Sequence, residues 1–414
     1  MAEKKIKIRA DKVTLNYRHE GDGKINIIFL HGWSIDSSYW KEQIDLLKDN
    51  YSVYALDLPG FGDSKAPERT VWSMEEYALD VRDFIKHLGL ENIIIAGHSM
   101  SGGIMIDVAV KSSPDEIIGL IAVDTLKSVG IEMTPETRAM LVDYSVKLLD
   151  DYQQAVKSYA ESSMFTDTTP IKVKERVLKD FSKVDPKVGI ATFKGFSANY
   201  ANIPGKLDLV PQMLYLINSD NVPTNEQGLA NHCQNGYELL TLHGTGHYPM
   251  IEKPEEFNML LKGVIDRIVH TFENELIARV TVKMEAPIEK VWKALTDPEL
   301  IRQYMFGTKV ESDWETGKSI TWRGIWNGKL YEDKGTILLI DPPYSLKYSY
   351  FSKLSDLPDK HENYNTITYE LAEITEGTSV LITQTNNHSK KQRNHSEKNW
   401  EEVLKQMKKL VENS

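Results

Sequence analysis

Cysteine is almost absent from this 414-residue chain, with Cys233 standing alone. No internal disulfide can staple the fold, and without Cys/His clusters at ligand spacing neither a zinc site nor any other metal or cofactor is expected. Cys233 reads as a structural or surface residue. Also missing is any apolar run near the roughly 20 residues that span a bilayer, and the opening segment carries charges where a signal peptide needs an apolar core. The expectation is a cytoplasmic protein with no membrane span. Positive charge is in deficit: 49 Lys and Arg face 60 Asp and Glu, for a net charge of -11. The basic clusters (Lys4 to Lys7, Lys390 to Arg393, Lys405 to Lys409) are short and scattered, so no nucleic-acid partner is expected.

What is present is ordinary globular material. Hydrophobic residues make up 41% and charged residues 26% of the chain, and its length points to two or three domains, each able to bury its own core. From Val13 to Val123 strand-like and helix-like pieces alternate, the pattern of a mainly parallel sheet wrapped by helices. Ile25 to Leu30, Val53 to Leu56, Ile93 to Ala96 and Ile117 to Val123 are short β-branched runs suited to strands covered on both faces. Between them, Trp72 to Leu88 has its apolar residues at helical spacing.

From about Leu126 to Leu207 the pieces become amphipathic helices broken by Thr134-Pro135, Thr169-Pro170 and Asp185-Pro186, as in a helical cap inserted into the sheet domain. A strand returns at Met213 to Ile217, another at Leu239 to Leu242, and Pro254 to Val269 reads as a closing helix. Leu276 to Met284 then alternates as a half-buried antiparallel strand does. The domains are therefore expected at 1–272 and 275–414. In the second, Pro287 opens a helix, Asn327-Gly328 and Glu376-Gly377 mark turns, and Glu397 to Val411 forms a terminal helix with one apolar stripe.

Chemistry concentrates in the first domain. Ile93-Ile94-Ile95-Ala96-Gly97-His98-Ser99-Met100-Ser101-Gly102-Gly103 runs from a buried strand through a tight turn into a helix, which is the form of a nucleophile elbow displaying Ser99. Ser101 stands where glycine is usual. Phe29-Leu30-His31-Gly32-Trp33 is a second strand ending in a glycine turn, and the backbone N–H groups of Trp33 and Met100 are the expected oxyanion donors. Gly244-Thr245-Gly246-His247-Tyr248-Pro249-Met250-Ile251-Glu252-Lys253-Pro254 sets His247 in a loop between a strand and the closing helix.

With Asp57-Leu58-Pro59-Gly60-Phe61-Gly62-Asp63-Ser64, these pieces resemble the α/β-hydrolase superfamily over about residues 10–270. The resemblance implies an α/β fold with a helical cap, and a serine hydrolase in which His247 takes the Ser99 proton. It gives the Asp57 loop a packing role and leaves His31, His98 and His243 structural. A Ser nucleophile argues against haloalkane dehalogenase or epoxide hydrolase chemistry. Two residues compete for the acid. Asp220, just past the Met213 to Ile217 strand, sits near the usual family position but short of it, whereas Asp124, 25 residues beyond Ser99, matches a position from which some members supply the acid. Asp124 is preferred, with Asp220 the alternative. Met133, Met140, Met164, Phe165, Phe193 and Phe196 of the cap can line an apolar pocket or simply pack.

The segment Val291-Trp292-Lys293-Ala294-Leu295-Thr296-Asp297-Pro298-Glu299-Leu300, with the strands and long helix after it, resembles the START-like helix-grip superfamily, in the branch homologous to the Hsp90 ATPase activator. That resemblance covers about residues 275–414. It implies an α+β domain cupping an apolar cavity, for which Trp314, Trp322, Trp326, Tyr348, Tyr350 and Phe351 are candidate lining residues. The expected partners are a small-molecule acyl substrate and an apolar ligand in the second domain. A ligand sensor with little turnover and a carbon-carbon bond hydrolase are the competing functions.

Overall fold

The computed structural model describes residues 2–10, 12–113, 115–326, 328–355 and 357–413. The chain divides into two compact units, residues 1–269 and 270–414. In the first, eight strands form one mixed sheet: β1 (Ala2–Ile8), β2 (Val13–Glu20), β3 (Asn26–Leu30), β4 (Ser52–Leu56), β5 (Ile93–His98), β6 (Ile117–Val123), β7 (Leu214–Ser219) and β8 (Tyr237–Leu242). Their spatial order is β1-β2-β4-β3-β5-β6-β7-β8. The β1–β2 and β2–β4 pairs are antiparallel and every later pair is parallel.

Helices surround this sheet because β3 to β7 are apolar on both faces and must be covered on both. In chain order they are α1 (Lys41–Leu47), α2 (Met74–Leu88), α3 (Ser101–Lys111), α4 (Pro135–Asp150), α5 (Tyr152–Ser163), α6 (Ile171–Lys183), α7 (Pro186–Asn199), α8 (Ile203–Leu207), α9 (Glu226–His232), α10 (Pro249–Glu252) and α11 (Pro254–Glu275). Local signals set their limits. The Ser73 hydroxyl accepts the Glu76 N–H at the start of α2, and Gly89 closes that helix with φ 61° in the left-handed region. Pro135 and Pro186 open α4 and α7, where a missing N–H costs nothing. Helices α4 to α8 lie between β6 and β7 in the chain and form the cap.

The second unit begins within α11. Its seven strands are β9 (Ala278–Met284), β10 (Lys309–Ser312), β11 (Ser319–Trp326), β12 (Lys329–Asp341), β13 (Ser345–Tyr350), β14 (Asn365–Ile374) and β15 (Gly377–Gln384). They form an antiparallel sheet in the order β10-β11-β12-β13-β14-β15-β9. Helices α12 (Ile288–Thr296), α13 (Pro298–Tyr304) and α14 (Lys390–Asn413) complete it. Val403, Leu404, Met407 and Val411 of α14 are buried in one core with Val291 and Leu295 of α12 and Ile337, Tyr348 and Ile382 of the sheet. Asn327 of the expected Asn327-Gly328 turn lies outside the described residues. Among those described, no helix is long and apolar enough to cross a membrane.

Candidate active site

Parallel strands deliver their C-terminal ends to one edge of the sheet, and the loops leaving β3, β5, β6 and β8 meet there. Ser99 follows β5 with φ 55°, a conformation costly for a side-chain-bearing residue and characteristic of functional turns. The turn can form because residue 97 is glycine: a Cβ there would lie 2.5 Å from the Ser101 carbonyl oxygen. Ser101 has its own use. Its hydroxyl donates to the His31 carbonyl at 2.5 Å, which ties the elbow to the loop after β3.

His247 Nε2 lies 2.8 Å from Ser99 Oγ, and its Nδ1 lies 2.6 Å from Asp124 Oδ2. The hydroxyl, imidazole and carboxyl thus form an unbroken hydrogen-bonded line able to move a proton off Ser99. The alternative acid is elsewhere. Asp220 accepts from the Gly244 N–H at 2.9 Å and pairs through Oδ2 with His243 Nδ1 at 3.0 Å, on the exposed ends of β7 and β8. The hydrogen bonds to His243 and to Gly244 hold the Asp220 carboxyl below its ordinary pKa.

Asp124 is buried and also has positive φ, 44°. Its Oδ1 accepts the Ser219 N–H and hydroxyl, both at 2.7 Å, and pairs with Lys127 Nζ at 2.7 Å. Lys127 further donates to the Ser219 carbonyl and to Asn221 Oδ1. Burial by itself would raise the Asp124 pKa, but the hydrogen bond and charge of His247 and the charge of Lys127 outweigh it and hold the acid well below the usual carboxylate range. Sequence reasoning missed Lys127, although it stands only three residues past Asp124.

The His247 main chain is fixed at three successive N–H groups. Those of Gly246 and Tyr248 donate to the two Glu252 carboxyl oxygens at 2.8 and 3.0 Å, and that of His247 donates to the Met164 carbonyl at the end of α5 at 2.8 Å. The His247 carbonyl in turn accepts from His98 Nε2 at 2.7 Å. Burial, then the charge of His247, pushes the His98 pKa down to about 3, so His98 stays neutral and serves as a donor. Glu252 was within the quoted His247 segment, but nothing in its spacing distinguished a brace from a helix-end acid. His31 donates to the Gly32 carbonyl and accepts the Leu58 N–H, holding two loops together.

Trp33 and Met100 flank Ser99 from the loop after β3 and from the start of α3. Neither backbone N–H has a protein acceptor among the described residues. The Trp33 ring is buried and meets Tyr159, Phe181, Phe193 and Phe196 of the cap at 5.4 to 6.2 Å between centroids, and its Nε1 donates to the Gly189 carbonyl of α7. Of the cap residues singled out, Met164 and Phe193 are buried whereas Met140 is 71% exposed and lines a surface cavity with Tyr144, Tyr159 and Phe193. Cys233 is half-buried, and burial raises its thiol to about 11, which removes it as a nucleophile at neutral pH.

Comparison with known proteins bears on the family and the fold. Residues 285–412 match the family model for Activator of Hsp90 ATPase homolog 1-like protein. A dihydrolipoyllysine-residue acetyltransferase component of the acetoin cleaving system from Cupriavidus necator is 34% identical over 113 residues, 27% of this chain and 30% of that protein. The chain spans only 30% and 37% of the length of the first two curated relatives it matches. A pimeloyl-[acyl-carrier protein] methyl ester esterase from Yersinia enterocolitica is 25% identical over 58% of this chain and 93% of its own. A thermophilic esterase from Thermogutta terrifontis has the same fold, with TM-score 0.55 and 22% identity over 65% of this chain and 99% of that one. The alpha/beta hydrolase family model itself matches residues 27–260, more than half of the sequence, and the chain belongs to that family.

Proposed function

We propose that this chain is a serine hydrolase that cleaves an ester or thioester of a small, largely apolar acyl substrate. The observation that carries this reading is the hydrogen-bonded line from Ser99 through His247 to Asp124. His247 takes the Ser99 proton as Oγ attacks the carbonyl carbon. The oxyanion rests on the Trp33 and Met100 N–H groups, and the leaving group takes the proton from His247. Water, deprotonated by the same imidazole, then releases the acyl group from Ser99. Asp124 keeps the imidazole in the tautomer whose free Nε2 faces Ser99. The aromatic residues of the cap around Trp33 favour an apolar acyl chain. We place the hydrolase at 1–272, its cap at about 126–207, and a fused domain for an apolar ligand at 275–414.

A panel of p-nitrophenyl esters of increasing acyl length, assayed with the intact protein, tests the reading. Turnover and labelling by a fluorophosphonate are both expected, and Ser99→Ala is expected to remove both, with a loss on the order of 10⁶ in kcat. Labelling that persists in the variant sinks the assignment of Ser99.

A further inference from the structure

The second unit holds a cavity of about 430 Å³ between the sheet and α14, within the range of small-molecule sites, about 300–1,000 Å³. Aromatic residues are prominent in its walls, with Trp322, Tyr331, Tyr348, Tyr350 and Trp400 among them, and the exposed side chains of Phe306, Ile325 and Leu354 belong to the same lining. Its polar lining consists of two acids, Asp333 and Glu402, and the neutral Thr308, Ser352, Gln384, Ser396 and Asn399, and no lysine, arginine or histidine lines it among the described residues.

Asp333 is the anomaly. The alternation of β12 sets it on the face shared with Tyr331 and Ile337, the face toward the cavity. It is only 4% exposed. Oδ2 accepts the Tyr350 hydroxyl at 2.5 Å, whereas the buried Oδ1 has no hydrogen-bond partner among the described residues. A buried acid without a cation or a full set of donors is unfavourable unless something supplies them. The rings around it offer electron-rich faces, which attract cations.

We propose that this cavity binds an amphiphile with an ammonium head and an apolar tail, the head at Asp333 among the aromatic rings and the tail toward Phe306, Ile325 and Leu354. This rests on the reading of the fused domain as a site for an apolar ligand and adds the chemistry of its head group. An ammonium brings N–H donors and positive charge together, so it answers both deficits of Asp333. An alcohol brings one donor and no charge, and a fatty acid brings a charge that Asp333 and Glu402 repel.

Calorimetric titration of the full chain with n-octylammonium, 1-octanol and octanoate separates the cases. Octylammonium is expected to bind about tenfold or more tighter than octanol, with octanoate weakest, and Asp333→Asn is expected to erase the preference while octanol affinity holds. A diazirine-bearing alkylamine needs no variant: on the unaltered protein it is expected to crosslink to segments 305–308, 322–333 and 348–354. Equal binding of octanol and octylammonium, with crosslinks in those segments, overturns the head group and leaves the cavity reading standing. Failure of all three compounds to bind, or crosslinks confined to residues 1–269, overturns both.

Discussion

Lys127 is the residue whose removal says most about the acid of the proposed triad. Its ammonium helps keep the buried Asp124 ionised. The folded pKa of Asp124 lies below its unfolded value near 3.9. The stability it contributes is therefore present above that value and is lost as pH falls through the depressed folded pKa. Lys127→Met removes one cause of the depression and leaves burial opposing the charge. The acid limb of the stability profile should move upward by roughly one pH unit, with about 1.4 kcal/mol of stability lost at neutral pH. Superimposable pH profiles for variant and parent would refute the role. Asp124→Asn should lower kcat roughly 10⁴-fold with the fold intact, whereas Asp220→Asn should cost about 1 kcal/mol of stability and leave turnover near that of the parent. Assay of both at matched folded fraction decides between them, and a silent Asp220→Asn beside an active Asp124→Asn would reverse the assignment. The competition between these two aspartates could not be resolved in the sequence because both end parallel strands. Pairing with His247 depends on where β6 and β7 deliver them.

Single elements transmit the cap's position to the site. Helix α7 carries Phe193 and Phe196 against Trp33, and its approach is limited at Gly195, where a Cβ would lie 1.9 Å from the Trp72 carbonyl oxygen. Gly195→Ala must displace the helix, at a cost of about 1–3 kcal/mol. KM for long acyl esters should rise while the rate of fluorophosphonate labelling stays within about twofold, because the triad residues lie on other elements. A labelling rate that falls in step with KM would show that α7 supports the triad itself. The strands β3 to β7 were legible to within a few residues, since β-branched runs bounded by turns have few alternatives. Strand β1 was not. Its Lys-Ile-Lys-Ile alternation is amply charged, and it becomes a strand by pairing with β2 along an edge that charged side chains suit.

The molecule as a whole joins an α/β-hydrolase-family unit to a second unit with a core of its own, each built from an uninterrupted stretch of chain. A chain truncated after Glu275, which keeps α11 entire, should therefore fold and retain esterase turnover. Insolubility of that fragment, with the full chain stable, would mean that the two units depend on each other. Sequence alone determined the α/β class, the elbow at Ser99, the loop bearing His247 and the change of pattern near residue 275, because each is a local matter of strand period, glycine placement and turn chemistry. Only the tertiary structure decided what lies far apart in the chain. It brought Asp124 to His247 across 123 residues, set Lys127 and Ser219 on the other carboxyl oxygen, braced the His247 loop with Met164 from the cap, and left Asp333 short of a partner in an aromatic cavity. The reason is physical: hydrogen bonding and charge compensation act through space over a few ångströms, and sequence order is silent on which distant groups will share them.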